Sequence, residues 1–369
     1  GGTVLPMALR LTVRRDAFFD HVRSVARDVP HLVPVVKGNG YGLGRDQLVE
    51  LTQDLLPDVD TIAVGTIHEA AGVPPRYVAH VMNPVSDADF VSLTGVPDNA
   101  VLTVGSQRDV DVLVRHGWEG RVVVKLASSM RRFGVDRDGF GALVHDVARI
   151  GGTIHACSIH PPTTGDDSSR LAEIRAWLPF LPECVTLSVS HLSPESLAQL
   201  RNDSDRRTVE ARLGTALWHG TKDHFALHAD VIRTEPCRTG EVAGYRATLV
   251  PGNGTLVVIG AGSAHGVMPL PNGDSPFHFS RRRVALVESP YMHSSLAFVE
   301  TGEPCPTEGE FVDVQRPLTM VHPDVTEWVC TCRRHRQCRH AVASTAIHRS
   351  MPVAPSRFSG SSFSTITAT

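Results

Sequence analysis

Between about residue 30 and residue 225 short apolar runs alternate with longer amphipathic stretches, and this alternation limits the fold more than any other feature of the chain. Parallel strands covered by helices on both faces read as near-continuous apolar runs, not as in-out alternation. Strands are expected at 32–36, 61–64, 77–81, 100–104, 121–126, 153–159, 185–189 and 209–213, with helical stretches between them, such as 107–116. Eight such units close into a (β/α)8 barrel of TIM type, so the fold class is α/β. After about 226 the texture changes to glycine, proline and β-formers, as in GYRATLVPGNGTLVVIGAG, which predicts a smaller β-rich domain of antiparallel strands and hairpins. The expected division is a strand within 1–14 packing on the β domain, a barrel over 15–225, a β-rich domain over 226–325 and an irregular, disordered tail over 326–369. No internal repeat of fixed period is visible.

A chain of 369 residues is long enough for a large barrel plus a second domain. With 20% charged and 41% hydrophobic residues and a net charge of -3, nothing global points to nucleic acid. The stretch GGTVLPMALRLTVRRD lacks a basic segment followed by a long apolar run, and no window approaches the length of a bilayer span. A cytoplasmic protein without membrane or nucleic-acid partners is expected. Cys157, Cys184, Cys237 and Cys305 are scattered singly, unlike a secreted disulfide framework, so reduced thiols are expected.

The run LVPVVKGNGYGLG ends an apolar strand with a lysine and turns through glycines. Lysine at the C-terminal mouth of a barrel strand stands where barrel active sites lie. Partial desolvation of its ammonium lowers its pKa and makes it a nucleophile toward an aldehyde cofactor; taken alone, it also fits a side chain snorkelling from a strand end. The spacing Lys37-Gly-Asn-Gly-Tyr41-Gly resembles the pyridoxal-phosphate motif of the alanine racemase family of fold-type III enzymes, of which this chain would be a divergent member. The resemblance implies that Lys37 carries pyridoxal 5'-phosphate and moves the α-proton, and that Tyr41 touches the phosphate.

The resemblance runs in order over roughly residues 7 to 318. VVVKLASSMRRFGV resembles the segment that approaches the substrate, with Arg132 on the carboxylate side and Lys125 behind it; a guanidinium fork suits a carboxylate. By the same comparison His160, in IHACSIHPP, lies beside the pyridine ring, and Ser190, in LSVSHLS, bonds the phosphate. VEARLGTALWHG resembles the family's Arg-x-Gly-x-Ala-Leu-Tyr-Gly segment, with Trp218 in the tyrosine place. Gly214 and Thr215 would then offer N–H groups to the phosphate. Arg212 would face the pyridine nitrogen and keep it unprotonated, making the ring a weaker electron sink. EVAGYRATLV resembles the segment carrying the second catalytic base, by which Tyr245 is that base. Racemisation needs a base on each face of the α-carbon, and in the family this tyrosine enters the neighbouring subunit, which implies a homodimer with shared sites.

Several positions depart from the family pattern. Where the family reads Cys-Met-Asp-Gln, this chain has Pro290-Tyr291-Met292-His293-Ser294; Met292 offers a backbone N–H to the substrate carboxylate, and His293 replaces the aspartate. Pro161-Pro162-Thr163 follows His160, Val189 stands where asparagine precedes the serine, and no counterpart of the family's closing tyrosine follows FVDVQRPLTMVHPDVTEW. Lys125 matches a lysine that is chemically modified in some relatives. Cys330-Thr-Cys332 and Cys338-Arg-His340 have zinc-ligand spacing and resemble the SWIM motif, but the surrounding basic, low-complexity texture fits a disordered end, and no metal is expected.

The function implied is a dimeric racemase of a small amino acid, alanine first, supplying D-alanine as a peptidoglycan precursor. Two alternatives stay open: a related pyridoxal-phosphate enzyme that racemises or decarboxylates another amino acid, and a non-catalytic pyridoxal-phosphate-binding protein. Loss of optical rotation against CO₂ release separates the first pair, and whether Tyr245 serves a partner's Lys37 separates the last.

Overall fold

Apolar residues alternate through Leu9, Leu11 and Val13, and all three are fully buried in the strand β1 (Leu9–Arg14). The computed structural model describes residues 8–91, 95–204 and 206–330, which belong to one compact unit. A helix over Arg15–Asp28 follows and buries Phe18 and Val22, four residues apart and so on one helical face.

Among the described residues, eight parallel strands then form one sheet: β2 (Leu32–Pro34), β3 (Thr61–Val64), β4 (Val78–Pro84), β5 (Ala100–Val104), β6 (Arg121–Lys125), β7 (Thr153–Ser158), β8 (Thr186–Val189) and β9 (Val209–Leu213). Their spatial order is β2-β9-β8-β7-β6-β5-β4-β3. Over the expected strand 32–36 the regular ladder stops at Pro34. Val35 then donates to the Leu213 carbonyl at 2.9 Å and Val36 to the Ala63 carbonyl at 2.7 Å, one neighbour on each side, and with the Val35–Ala63 bridge this closes the barrel. The expected α/β barrel followed by a β-rich domain is the observed fold.

The β-rich part consists of β10 (Phe225–Cys237), β11 (Val242–Ala243), β12 (Thr248–Leu249), β13 (Gly254–Ile259), β14 (Phe277–Phe279), β15 (Arg282–Arg283), β16 (Ala285–Leu286), β17 (Ser295–Glu300), β18 (Phe311–Val314) and β19 (Val325–Val329). The main path is β15-β14-β18-β10-β13-β17-β16, and β11 and β12 form a separate two-stranded pair among the described residues. β1 joins this sheet, antiparallel to β10 and parallel to β19. Arg10 is 5% exposed and fixes that junction by ion pairs of 3.0 Å with both Asp230 and Glu327. Residues 326–329, expected in the irregular tail, are therefore strand. Val13 is in register with Trp328, whose ring packs on Phe18 and Phe19 at 5.6 and 5.8 Å. Cys330 is exposed, whereas Cys332, Cys338 and His340 lie outside the described residues.

Polar side chains fill much of the buried barrel: His80, Lys125, Ser158, Ser188 and Arg212 are each at most 8% exposed. An interior this polar is costly to desolvate and marks a functional end of the barrel. Among the described residues no helix is long and apolar enough to cross a membrane, and no group of three or more His, Cys, Asp or Glu is arranged to hold a metal.

Candidate active site

Beyond β2 the chain leaves the C-terminal mouth of the barrel at Lys37. Gly38, Gly40, Tyr41 and Gly42 take positive φ of 59°, 61°, 56° and 87°. Tyr41 is the costly member, since a left-handed non-glycine persists only where its surroundings impose it. Those surroundings are visible: its side chain is buried, its ring stands edge-on to His219 at 5.7 Å, and its carbonyl lies 2.8 Å from His219 Nε2. Asn39 Nδ2 donates to the carbonyls of Leu318 (2.9 Å) and Val321 (2.7 Å), fastening the lysine turn to the β-rich part.

Glu69 holds the other side of the turn. Its carboxylate accepts from Gly38 N at 2.8 Å, Gly65 N at 2.7 Å and Thr66 N at 3.3 Å. Sequence reasoning missed this residue, although Thr66-Ile-His-Glu69 is a capping box at the start of the helix Ile67–Ala70.

Lys37, Tyr41, Arg132, His160 and Arg212, five of the residues singled out in the sequence, line one cavity of about 400 Å³. Lys125 joins them, and Glu69 is the one carboxylate in the lining. A larger cavity of about 900 Å³ opens at the strand beginnings, lined by residues such as Asp60, His155 and Glu210. It holds none of the predicted residues and lies at the barrel end that carries stability, not chemistry.

Crowded cations set the protonation states. Burial pulls the Lys125 ammonium down to about 6, with Arg212 and Arg132 adding to the effect. Burial, and then Arg132, lower Lys37 as well, opposed by Glu69. Arg212 donates to Ser188 Oγ and to the Ile159 carbonyl, both at 2.8 Å. Burial brings it to about 10, so it stays charged at neutral pH. His160 falls to about 2 through burial and the charge of Arg212 and is therefore neutral. Its Nδ1 lies 2.6 Å from Ser190 Oγ, so the buried Ser190 orients the imidazole. Burial raises Tyr41 to about 12 and keeps its proton in place. The Tyr41 hydroxyl occupies the space that a Cβ on Gly214 would need, which brings it to the start of the short helix Thr215–Trp218.

Lys125 gives a stability test. Its folded pKa of about 6 lies below its ordinary 10.5, so between these values the unfolded chain holds a proton that the folded protein releases. The penalty for burying Lys125 is complete below pH 6 and fades as pH rises to 10.5. Lys125→Met should raise the thermal midpoint at pH 6, with an advantage over wild type that shrinks toward pH 10. A difference that stays constant with pH would rule this out.

Tyr245 and Met292 are elsewhere. Tyr245 sits on the turn between β11 and β12 and is 88% exposed; Met292 is 67% exposed on the loop before β17. Neither lines the cavity of its own chain.

The model of the alanine racemase N-terminal domain matches residues 13–221, more than half of the chain. The chain belongs to the alanine racemase family. Solved alanine racemases share its fold at low identity. The enzyme from Bartonella henselae, with covalently bound pyridoxal phosphate, is 18% identical with a TM-score of 0.64 over 88% of this chain and 100% of that one. The biosynthetic enzyme from Pseudomonas aeruginosa is 18% identical with a TM-score of 0.62, covering 88% and 99%. The enzyme from E. faecalis is 19% identical with a TM-score of 0.62, covering 85% and 91%. No curated protein matches the sequence. The chain has three lysines, Lys37, Lys125 and Lys222, and the first two line the cavity.

Proposed function

We propose that the protein is a pyridoxal-phosphate-dependent racemase that interconverts L- and D-alanine, with Lys37 of one protomer and Tyr245 of its partner as the two bases. The observation that carries this is the convergence of Lys37, Tyr41, Arg132, His160 and Arg212 on one strongly cationic cavity. The cofactor brings a phosphate and the substrate a carboxylate, and the donor set suits both. When bound, pyridoxal phosphate supplies an aldehyde for covalent attachment and a ring that withdraws electrons from the α-carbon.

Each side chain has a defined task in this reading. Lys37, with its lowered pKa, gives up its proton more readily than an ordinary lysine, as an attaching amine and a base both require. Tyr41 keeps its proton and donates to the phosphate, beside the N–H groups of Gly214 and Thr215. Neutral His160, steadied by Ser190, packs on the ring without adding charge. Arg212, charged and held at two of its nitrogens, keeps the ring nitrogen from taking a proton. Arg132 pairs with no carboxylate among the described residues and is available to the substrate.

Support for a shared site comes from the exposed apolar side chains of Val242, Tyr245, Leu249 and Met292. Such side chains on a hairpin and an adjacent loop call for a covering partner. Met292 accepts at its carbonyl from Ala264 N at 2.9 Å, while its own N–H has no partner among the described residues and is free for a substrate carboxylate.

The direct test is L-alanine in deuterated water with the cofactor-loaded dimer. Gain of α-deuterium together with loss of optical rotation is expected; cofactor binding without either would remove alanine as substrate. His293 is exposed 5.8 Å from His265 where the family has an aspartate, and this favours a second reading, another amino acid or decarboxylation. A panel of L-amino acids followed for rotation and CO₂ separates the two.

A further inference from the structure

Tyr245 is among the most exposed large side chains, yet its backbone is tightly held. The turn is closed by Ala247 N donating to the Gly244 carbonyl at 3.2 Å. One carboxylate from outside the hairpin, Glu288, accepts from Tyr245 N at 2.7 Å and from Arg246 N at 3.3 Å. The same carboxylate receives the hydroxyl hydrogen bond of Tyr291. The Tyr291 ring stands edge-on to the Tyr245 ring, with centroids 4.7 Å apart and planes at 74°, the favoured aromatic arrangement. Gly244 precedes Tyr245 with φ 80°, and the Glu288 carboxylate and Tyr291 hydroxyl fill the space where its side chain would be. Beyond Tyr291, the loop is pinned by Ser263 N to the Tyr291 carbonyl (2.7 Å) and by Ala264 N to the Met292 carbonyl (2.9 Å).

We propose that Glu288 and Tyr291 are positioning residues that lock the base Tyr245 and the substrate loop carrying Met292 into one rigid platform offered to the partner's cavity. This rests on the reading of Tyr245 as the second base. The two elements come from different strand pairs, and among the described residues the β11–β12 hairpin pairs with no other strand, so without Glu288 the base would ride on a two-stranded hairpin of marginal stability. A carboxylate accepting three donors makes charge-assisted bonds, the strong class. Those bonds hold Glu288 below the usual carboxylate range. Tyr291 is raised to about 12 by burial and by Glu288, so its donated proton is retained across the working pH range. Proton transfer loses rate steeply when the base is misplaced, so anchoring the backbone of an exposed base has direct kinetic value.

The test compares wild type, Glu288→Ala, Glu288→Gln and Tyr291→Phe in the full-length protein. Amide hydrogen exchange at Tyr245 and Arg246, measured without cofactor, should accelerate at least about tenfold in Glu288→Ala. Glu288→Gln keeps one acceptor oxygen, enough for the Tyr245 amide, and should recover protection at Tyr245 but not at Arg246. With cofactor loaded, kcat should fall about tenfold in Glu288→Ala with a smaller change in KM, because the Met292 loop keeps its own bonds from Ser263 and Ala264 while the base loses both of its anchors, and the cofactor's visible absorption should stay unchanged. Tyr291→Phe should lie between Glu288→Gln and Glu288→Ala. Unchanged exchange at the two amides overturns the clamp, and faster exchange with full kcat overturns its role in positioning. Racemisation that survives Tyr245→Phe overturns the underlying reading, and is recognisable because the protection at Tyr245 and Arg246 would remain.

Discussion

Lys37→Ala is expected to abolish racemisation and to leave the purified protein without the visible absorption of a lysine-bound cofactor. In the proposed reading two functions fall on this one side chain, anchoring the cofactor and serving one face of the α-carbon, so no other residue in the cavity replaces it. Lys125 is the nearest candidate, being an amine pulled down to about 6 in the same lining, but it is only 8% exposed and stands within the barrel. Loss of a group that acts in both attachment and proton transfer is strongly non-additive, and a fall to background is the expected size. Exogenous primary amines should restore only a trace of activity, since they replace the base but not the tether. Substantial racemisation by Lys37→Ala would mean that the cavity works through a different amine.

Tyr245→Phe should lower racemisation by about 10²–10⁴-fold, the range of a lost general acid or base, while the cofactor absorption stays that of wild type. The Lys37 side remains intact, so one enantiomer should still exchange its α-proton with deuterium without inverting. The shared site adds a sharper result. Lys37→Ala and Tyr245→Phe protomers are each inactive, yet a mixed dimer rebuilds one intact site from the Lys37 of one protomer and the Tyr245 of its partner. With random pairing, half of the dimers are mixed and each has one good site of two, so about a quarter of wild-type activity should return on mixing. No recovery would place both bases within one protomer. Such an arrangement would require the exposed Tyr245 turn to move onto its own barrel.

Much of this architecture is legible as local pattern. Parallel strands buried on both faces leave apolar runs, so β3, β5 and β9 match the expected bounds and the other barrel strands are found within a residue or two, except that β4 runs three residues past its expected end. The lysine turn is legible for a related reason: a strand end followed by Gly-Asn-Gly-Tyr-Gly favours a tight turn, and in a barrel the turns after strand ends form the mouth where active sites lie. Contacts that join distant segments were not legible. Val325 to Val329 reads as featureless until β1 supplies an edge to pair with. Ser190 is singled out by its resemblance to the family's phosphate-binding serine, whereas the contact of its hydroxyl with His160, 30 residues away, is visible only in the structure. Glu69 and Glu288 each work through backbone N–H groups, and an amide donor leaves no residue-type signature at the position it serves. His293 is visible in sequence as a departure from the family pattern.

The central claim is that Lys37, and no other residue, bears the cofactor. The most direct measurement is borohydride reduction of the pyridoxal-phosphate-loaded protein followed by digestion and mass mapping. With only three lysines in the chain the assignment is unambiguous. The expected result is one phosphopyridoxyl group per chain, on the peptide containing Lys37 and absent when the reduction is repeated on Lys37→Ala. A label on Lys125 or Lys222, or no label at all, would contradict the account.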